Sequence, residues 1–336
     1  MTYSLDDITI IPAIVTDIEH RSECNVYNED EMLPLFTAPM SSVINAENWE
    51  QFSKQKINTI IPRSVAYNTR VQLMDKTFVA WSLKEFEEFI ETPINILPNQ
   101  TLYWCIDIAN GHMKKLLTLC SKCKELYGGQ VLLMTGNIAN DETYYEYAKS
   151  GIDFVRCSIG SGSVCTTSAN SGVHMPMASL IRRCAEHKLQ VQKAVAYAQS
   201  LGQPSQFTSI PYIIADGGFD NFDKINKALA LGADYVMLGK LLSQTTIACG
   251  VQVHGERVYY GMSTKRAQTE LKGIADRTSE GIEVRNPITC TLEQWVANFI
   301  HYLQTAMSYT NSRTLEEFKQ VKTDTMSQNA HKNYYK

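Results

Sequence analysis

Eight short apolar runs, each five to seven residues long, recur between residues 33 and 239: "LPLFTA" (33–38), "INTIIP" (57–62), "TFVAWSL" (77–83), "LYWCIDI" (102–108), "VLLMTG" (131–136), "DFVRCSI" (153–159), "YIIADG" (212–217) and "YVMLG" (235–239). Runs of this length, rich in β-branched and aromatic residues and closed by turn residues, read as buried strands. Amphipathic helical stretches such as "GHMKKLLTLCSKCKELYG" and "NDETYYEYAKSG" lie between several of them. Strand, helix, strand in repetition is the pattern of a parallel sheet, and eight units predict a closed (β/α)8 TIM barrel in a single domain.

A doubly wound open sheet is the competing architecture, and the residues able to carry chemistry choose between the two. Ala38-Pro39-Met40, Asp107, Gly136-Asn137, the Gly160 to Cys165 loop, Asp216-Gly217-Gly218 and Gly239 each fall just past the C-terminal end of an expected strand. On a barrel those ends form one rim around one pocket. On an open sheet they would be spread over too wide a crevice. The stretch 180–208 reads as a long barrel helix closed by Gly202 and Pro204. After residue 240 the chain turns polar and glycine-punctuated, which reads as a long loop with a mobile active-site flap at about 252–285. The barrel domain is therefore expected over 1–311, followed by a frayed polar tail over 312–336.

The bulk composition excludes several classes of function. A formal net charge of −4 without any lysine/arginine block argues against a nucleic-acid partner, so any phosphate site should be local. No run approaches the roughly 20 apolar residues that cross a bilayer, and "MTYSLDDITIIP" lacks a signal-peptide pattern, so a cytoplasmic protein without a membrane partner is expected. Nine scattered cysteines fit reduced thiols better than a disulfide framework. Cys120 and Cys123 form a lone C-x-x-C in a helical setting, with no second pair to complete a metal site. Cys24, Cys105, Cys157, Cys184, Cys249 and Cys290 read as small buried hydrophobes.

Cys165 is different. It closes "RCSIGSGSVCTT", in which Gly160-Ser161-Gly162-Ser163 directly follows a strand. Such a loop brings backbone donors close to a ligand and can deliver a thiolate to an electrophilic carbon, which makes Cys165 the candidate nucleophile. Asp216, at the end of "YIIAD", can accept hydrogen bonds from two neighbouring sugar hydroxyls, while Gly217 and Gly218 let backbone N–H groups reach a phosphate. Gly239 ends the eighth strand, and barrels frequently build a phosphate site from the loops after strands seven and eight.

In order along residues 5 to 285, "SLDDITIIP", "TAPM", "DIANGH", "TGNI", "IGSGSVCTT", "IADGG", "ALALGADYVMLG", "YYGMS" and "RTSEG" resemble the IMP dehydrogenase/GMP reductase family. The resemblance implies a (β/α)8 barrel whose loop cysteine attacks C2 of a purine mononucleotide. Only about forty residues separate "IIPRSV" from "WCIDIANGH", too few for the CBS pair that many IMP dehydrogenases insert there. The segment from Gly261 to Gly281 is short and ends "RTSEG", similar to the "RASEG" of GMP reductases, without the arginine-tyrosine dyad of dehydrogenase flaps.

The reductase branch of the resemblance implies NADPH-dependent reductive deamination of GMP to IMP and ammonia through a covalent Cys165 thioimidate. The alternatives are an IMP dehydrogenase-like enzyme lacking CBS domains, or a nucleotide-binding barrel that acts on a modified purine nucleotide or has no activity. Residue by residue, Thr167 and Glu280 match the pair that moves protons during deamination. Ser163, Asp216, Gly218, Gly239, Met262, Ser263, Arg277 and Gly281 match nucleotide-binding positions, and Asp107, Ile108 and Ala109 match the stretch beside the nicotinamide. The carbonyls of Gly160, Gly162 and Cys165 correspond to a monovalent-cation site, potassium in relatives, and a cytoplasmic homotetramer is implied. The chain departs from the family pattern at Pro62-Arg63, Ser168, His174, Met177 and Lys240.

Overall fold

Along a strand, successive side chains point to opposite faces, and the apolar runs of this chain follow that period strictly. In the strand Phe154–Cys157, Phe154 belongs to an aromatic cluster with Phe36, Phe78 and Tyr235, while Val155 and Cys157 pack with residues of the surrounding helices. Tyr235–Leu238 repeats the pattern, with Tyr235 and Met237 on one face and Val236 and Leu238 on the other. One face is the interior of a closed sheet. The other faces helices.

The computed structural model describes residues 1–261, 263–275 and 278–334. Its main sheet has eight parallel strands: β1 (Leu35–Thr37), β2 (Ile60–Ile61), β3 (Phe78–Trp81), β4 (Leu102–Ile106), β5 (Val131–Ile138), β6 (Phe154–Cys157), β7 (Tyr212–Asp216) and β8 (Tyr235–Leu238), in the order β1-β8-β7-β6-β5-β4-β3-β2. The ring closes between β1 and the start of β2. There the Thr37 amide donates to the Asn58 carbonyl (2.9 Å), and the Asn58 amide donates to that of Leu35 (3.1 Å). Each expected strand is present, and the (β/α)8 TIM barrel is the architecture of the chain.

The crossover helices are α1 (Trp49–Lys54), α2 (Tyr67–Leu73), α3 (Leu83–Glu91), α4 (Lys114–Tyr127), α5 (Thr143–Lys149), α6 (Met177–Ser200), α7 (Phe222–Ala230) and α8 (Leu292–Tyr309). Their ends follow local chemistry. Ser82 and Glu85 form a capping box at the start of α3, and Thr291 and Gln294 do the same for α8. The Cys120 and Cys123 side chains are fully buried on the inner face of α4, which is the bland role expected of that C-x-x-C. Burial pushes the Cys123 thiol up to about 12. None of the described helices is long and apolar enough to cross a membrane.

Two segments differ from their reading in the sequence. The stretch after residue 240 is not simply a loop: Gln252–Val253, Glu256–Tyr260 and Glu283–Pro287 form a three-stranded antiparallel sheet, with the helix Lys265–Lys272 between the last two strands. The buried Arg257 anchors this flap by donating to the carbonyls of Ser243 (2.5 Å) and Thr245 (2.6 Å). The polar tail does not fray along 312–325. Leu315 and Phe318 are buried in the core, Thr323–Thr325 pairs with Ile8–Ile10, and Lys319 reaches Asp234 (2.8 Å) just before β8. Two well-placed apolar side chains and one ion pair dock a segment whose average composition reads as solvated.

Candidate active site

The same alternation that buries Phe154 places Arg156 two residues further along β6, on the inner face near the C-terminal end of the barrel. In phase with it stand Asp216 at the end of β7 and Asp107 just past β4. The three side chains meet. The Arg156 guanidinium lies 2.8 Å from Asp107 Oδ1 and 2.9 Å from Asp216 Oδ2, and Asn137 Nδ2 donates to the same Asp216 oxygen at 2.7 Å. Burial alone would lower the Arg156 pKa; the Asp216 and Asp107 carboxylates outweigh it, so the guanidinium stays charged.

Removing one partner from a buried ion network leaves uncompensated charge, which typically costs about 3–5 kcal/mol. Arg156→Met, which leaves two carboxylates face to face, is therefore expected to lose about that much stability in urea unfolding. A loss below about 1 kcal/mol would show the carboxylates to be solvated, not buried.

Above this network opens a cleft of about 680 Å³. It is large enough for a mononucleotide and part of a second ligand. Asp107, Ile108, Ala109, Ser163, Cys165, Asp216, Gly218, Gly239, Ser263 and Glu280 all line it, so most of the site residues read from the sequence share one pocket. Asp216 spends Oδ2 on Arg156 and Asn137, while Oδ1 has no hydrogen bond among the described residues and is left to accept from a ligand. Gly217 and Gly218 adopt φ of +98° and +84° where their backbone runs against Ser161 and Gly162. A side chain there would be strained and would collide with backbone.

The cysteine loop and the flap are stitched together. The Thr166 amide donates to the Glu280 carbonyl and the Ile282 amide to the Val164 carbonyl, both at 2.9 Å, with Cys165 and Gly281 paired across an antiparallel bridge. Gly281 comes so close that a Cβ would stand 2.9 Å from the Val164 carbonyl oxygen. This contact brings three side chains into line. The Cys165 thiol donates to Thr167 Oγ1 at 3.2 Å, and that hydroxyl donates to Glu280 Oε2 at 3.0 Å. Cys165 is half-buried and Glu280 exposed, so the line runs from the pocket floor to its mouth.

Met262 and Arg277 lie outside the described residues. Gly160 is not part of the cleft wall, and its carbonyl accepts from Ser168 Oγ at 2.9 Å, while the Gly162 carbonyl accepts from the Cys165 amide at 2.9 Å. Two of the three carbonyls expected to hold a monovalent cation are thus already engaged within the chain. Each of these carbonyl oxygens keeps a second lone pair, and no step below is routed through an ion.

The sequence does not mark Arg156 as a site residue; it marks Gly136-Asn137 only as a strand end and Arg63 only as a departure from the family pattern. Arg63 lines the cleft and donates to the Asp107 carbonyl at 3.2 Å, beside the stretch expected to face the nicotinamide. The signal for Arg156 was present, as a lone charge in phase with Phe154 in an otherwise apolar run. Asn137 lies inside β5, where the pairing with β6 shifts between Gly136 and Ile138.

Comparison with known proteins agrees with this arrangement. The profile of the IMP dehydrogenase / GMP reductase domain matches residues 2–333. The chain is 33% identical over 231 residues to the inosine-5'-monophosphate dehydrogenase of Chlorobaculum tepidum, covering 64% of this chain and 43% of that protein. It is 28% identical over 306 residues to the GMP reductase of Buchnera aphidicola, covering 85% and 80%. To the GMP reductase of Klebsiella pneumoniae it is 33% identical over 224 residues, covering 65% and 59%. The match thus spans less than half the length of the Chlorobaculum dehydrogenase.

Proposed function

The chain belongs to the IMP dehydrogenase / GMP reductase family, and from that premise we propose that it is the reductase, converting GMP and NADPH to IMP, ammonia and NADP+. The line Cys165–Thr167–Glu280 carries this reading. In it the Glu280 carboxylate draws the thiol proton through the Thr167 hydroxyl, which leaves a thiolate at the pocket floor and a protonated acid at its mouth. The thiolate adds to C2 of the purine. The 2-amino group takes the proton from Glu280 and departs as ammonia, leaving a thioimidate on Cys165. Protonation is essential because an unprotonated amide anion is far too poor a leaving group near neutral pH.

A reduced nicotinamide, when bound, would supply hydride to C2, and Cys165 would then leave C2 as the thiolate as IMP is released. Asp107, Ile108 and Ala109 line the side of the cleft where the nicotinamide would stand, and Arg63 fixes their backbone through the Asp107 carbonyl. Asp216 Oδ1 accepts hydrogen bonds from the ribose hydroxyls, with Arg156 and Asn137 holding the carboxylate in orientation through Oδ2. The backbone at Gly218 and Gly239, with Ser163 and the buried Tyr259 that also line the cleft, receives the phosphate. A homotetramer in the cytoplasm belongs to the same reading.

The second reading, an IMP dehydrogenase-like activity, is favoured by the Chlorobaculum match. Purified protein separates the two. GMP-dependent oxidation of NADPH with ammonia release supports the reductase. Reduction of NAD+ by IMP, with xanthosine monophosphate as product, would overturn it.

Asp216→Ala is expected to weaken GMP binding by about 1.5–3 kcal/mol through lost charge-assisted hydrogen bonds to ribose, and to leave the affinity for free guanine unchanged. Calorimetry with both ligands reads this. An equal loss for guanine would assign Asp216 to holding the barrel end together instead.

A further inference from the structure

Among the described residues, three cations line the cleft: Arg63, Arg156 and Lys240. Arg156 is neutralised between Asp107 and Asp216, and Arg63 spends a donor on the Asp107 carbonyl. Lys240 has neither a carboxylate nor a hydrogen-bond acceptor for its ammonium among the described residues, although it is only half exposed. It follows Gly239 directly at the end of β8, on the side of the cleft where Gly217 and Gly218 present backbone. A half-buried lysine whose ammonium has no carboxylate or acceptor among the described residues, on the wall of an open cleft, is placed to meet an anion from the ligand.

The geometry points to Lys240 as a specificity residue that reads the charge of the substrate's 5'-phosphate. This rests on the mononucleotide reading above and goes beyond it. A cradle of backbone N–H groups and hydroxyls recognises phosphate by shape and partial charge. Lys240 adds a full charge, so the site discriminates a phosphorylated purine from the corresponding nucleoside electrostatically. An ammonium is a point charge on a flexible stem, so it follows the phosphate without fixing its orientation and leaves the position of C2 over Cys165 to the ribose and base contacts. The consequence is in affinity, not in the chemical step.

The test compares wild type, Lys240→Met and Lys240→Arg by calorimetry with GMP and with guanosine, at low and high sodium chloride, with thermal unfolding as the check on folding. Loss of one charge-assisted contact predicts a roughly tenfold to hundredfold rise in Kd for GMP in Lys240→Met. Affinity for guanosine should be unchanged, and Lys240→Arg should remain within about threefold of wild type for GMP. Added salt should weaken GMP binding in the wild type and do so less in Lys240→Met, because screening acts on the charge that was removed.

Equal GMP affinity in wild type and Lys240→Met overturns the assignment, as does an equal loss for GMP and guanosine, which would mean that the stem packs the cleft. These results leave the reductase reading standing. If wild type binds neither GMP nor IMP, the mononucleotide reading falls, and Lys240 with it.

Discussion

Replacing Cys165 by alanine is expected to abolish turnover, a loss of at least about 10,000-fold, while GMP affinity stays within about tenfold of wild type. The asymmetry follows from where the energies come from. The thiol forms the only covalent bond to the purine, and no other described nucleophile stands in the cleft at its position. In the proposed reading, binding comes from elsewhere, through Asp216 Oδ1, the glycine backbones after β7 and β8, and Lys240, all of which line the cleft. Removing Sγ also removes one hydrogen bond to Thr167, but Thr167 still donates to Glu280 and the loop is still stitched to the flap through Thr166 and Val164. The pocket should therefore survive the substitution. Single-turnover kinetics and calorimetry on one preparation decide the matter. Near-wild-type turnover would remove Cys165 from the chemistry, and lost affinity with lost turnover would mean that the thiol holds the loop in shape.

The barrel was legible because its strands are buried on both faces and therefore write themselves as continuous apolar runs, which need no partner to be recognised. The flap was not. Its strands carry residues such as Glu256, Arg257, Glu283 and Arg285, and they are anchored by long-range contacts with no local signature, among them those of Arg257 to the Ser243 and Thr245 carbonyls. The site divides in the same way. Cys165, Asp216 and the glycines announce themselves by residue type at strand ends. Arg156 announces itself only through parity, as the charge in phase with Phe154 within its own strand. Ser168 reads as a simple departure from the family pattern, and its hydrogen bond to the Gly160 carbonyl emerges only once the loop has closed on itself.

Glu280→Gln is the second large effect, and it separates the reductase chemistry into its halves. The amide keeps the shape of the carboxyl and can still accept from Thr167 through its oxygen, so the flap contact is preserved. It cannot take the thiol proton or hand a proton to the departing nitrogen. Deamination of GMP to the covalent adduct needs both transfers, and general acid–base steps of this kind contribute typically about 100- to 10,000-fold. The opposite approach to the same adduct, from IMP and NADP+, needs the thiolate but no acid, because hydride is what leaves C2. The IMP half therefore loses one of the two proton transfers and the GMP half loses both, so the GMP half should fall further in the variant. Single-turnover measurements from both sides should then place the two losses at least about tenfold apart. If both halves fall equally, Glu280 merely holds the flap against the cysteine loop, and the proton that releases ammonia comes from another group or from water.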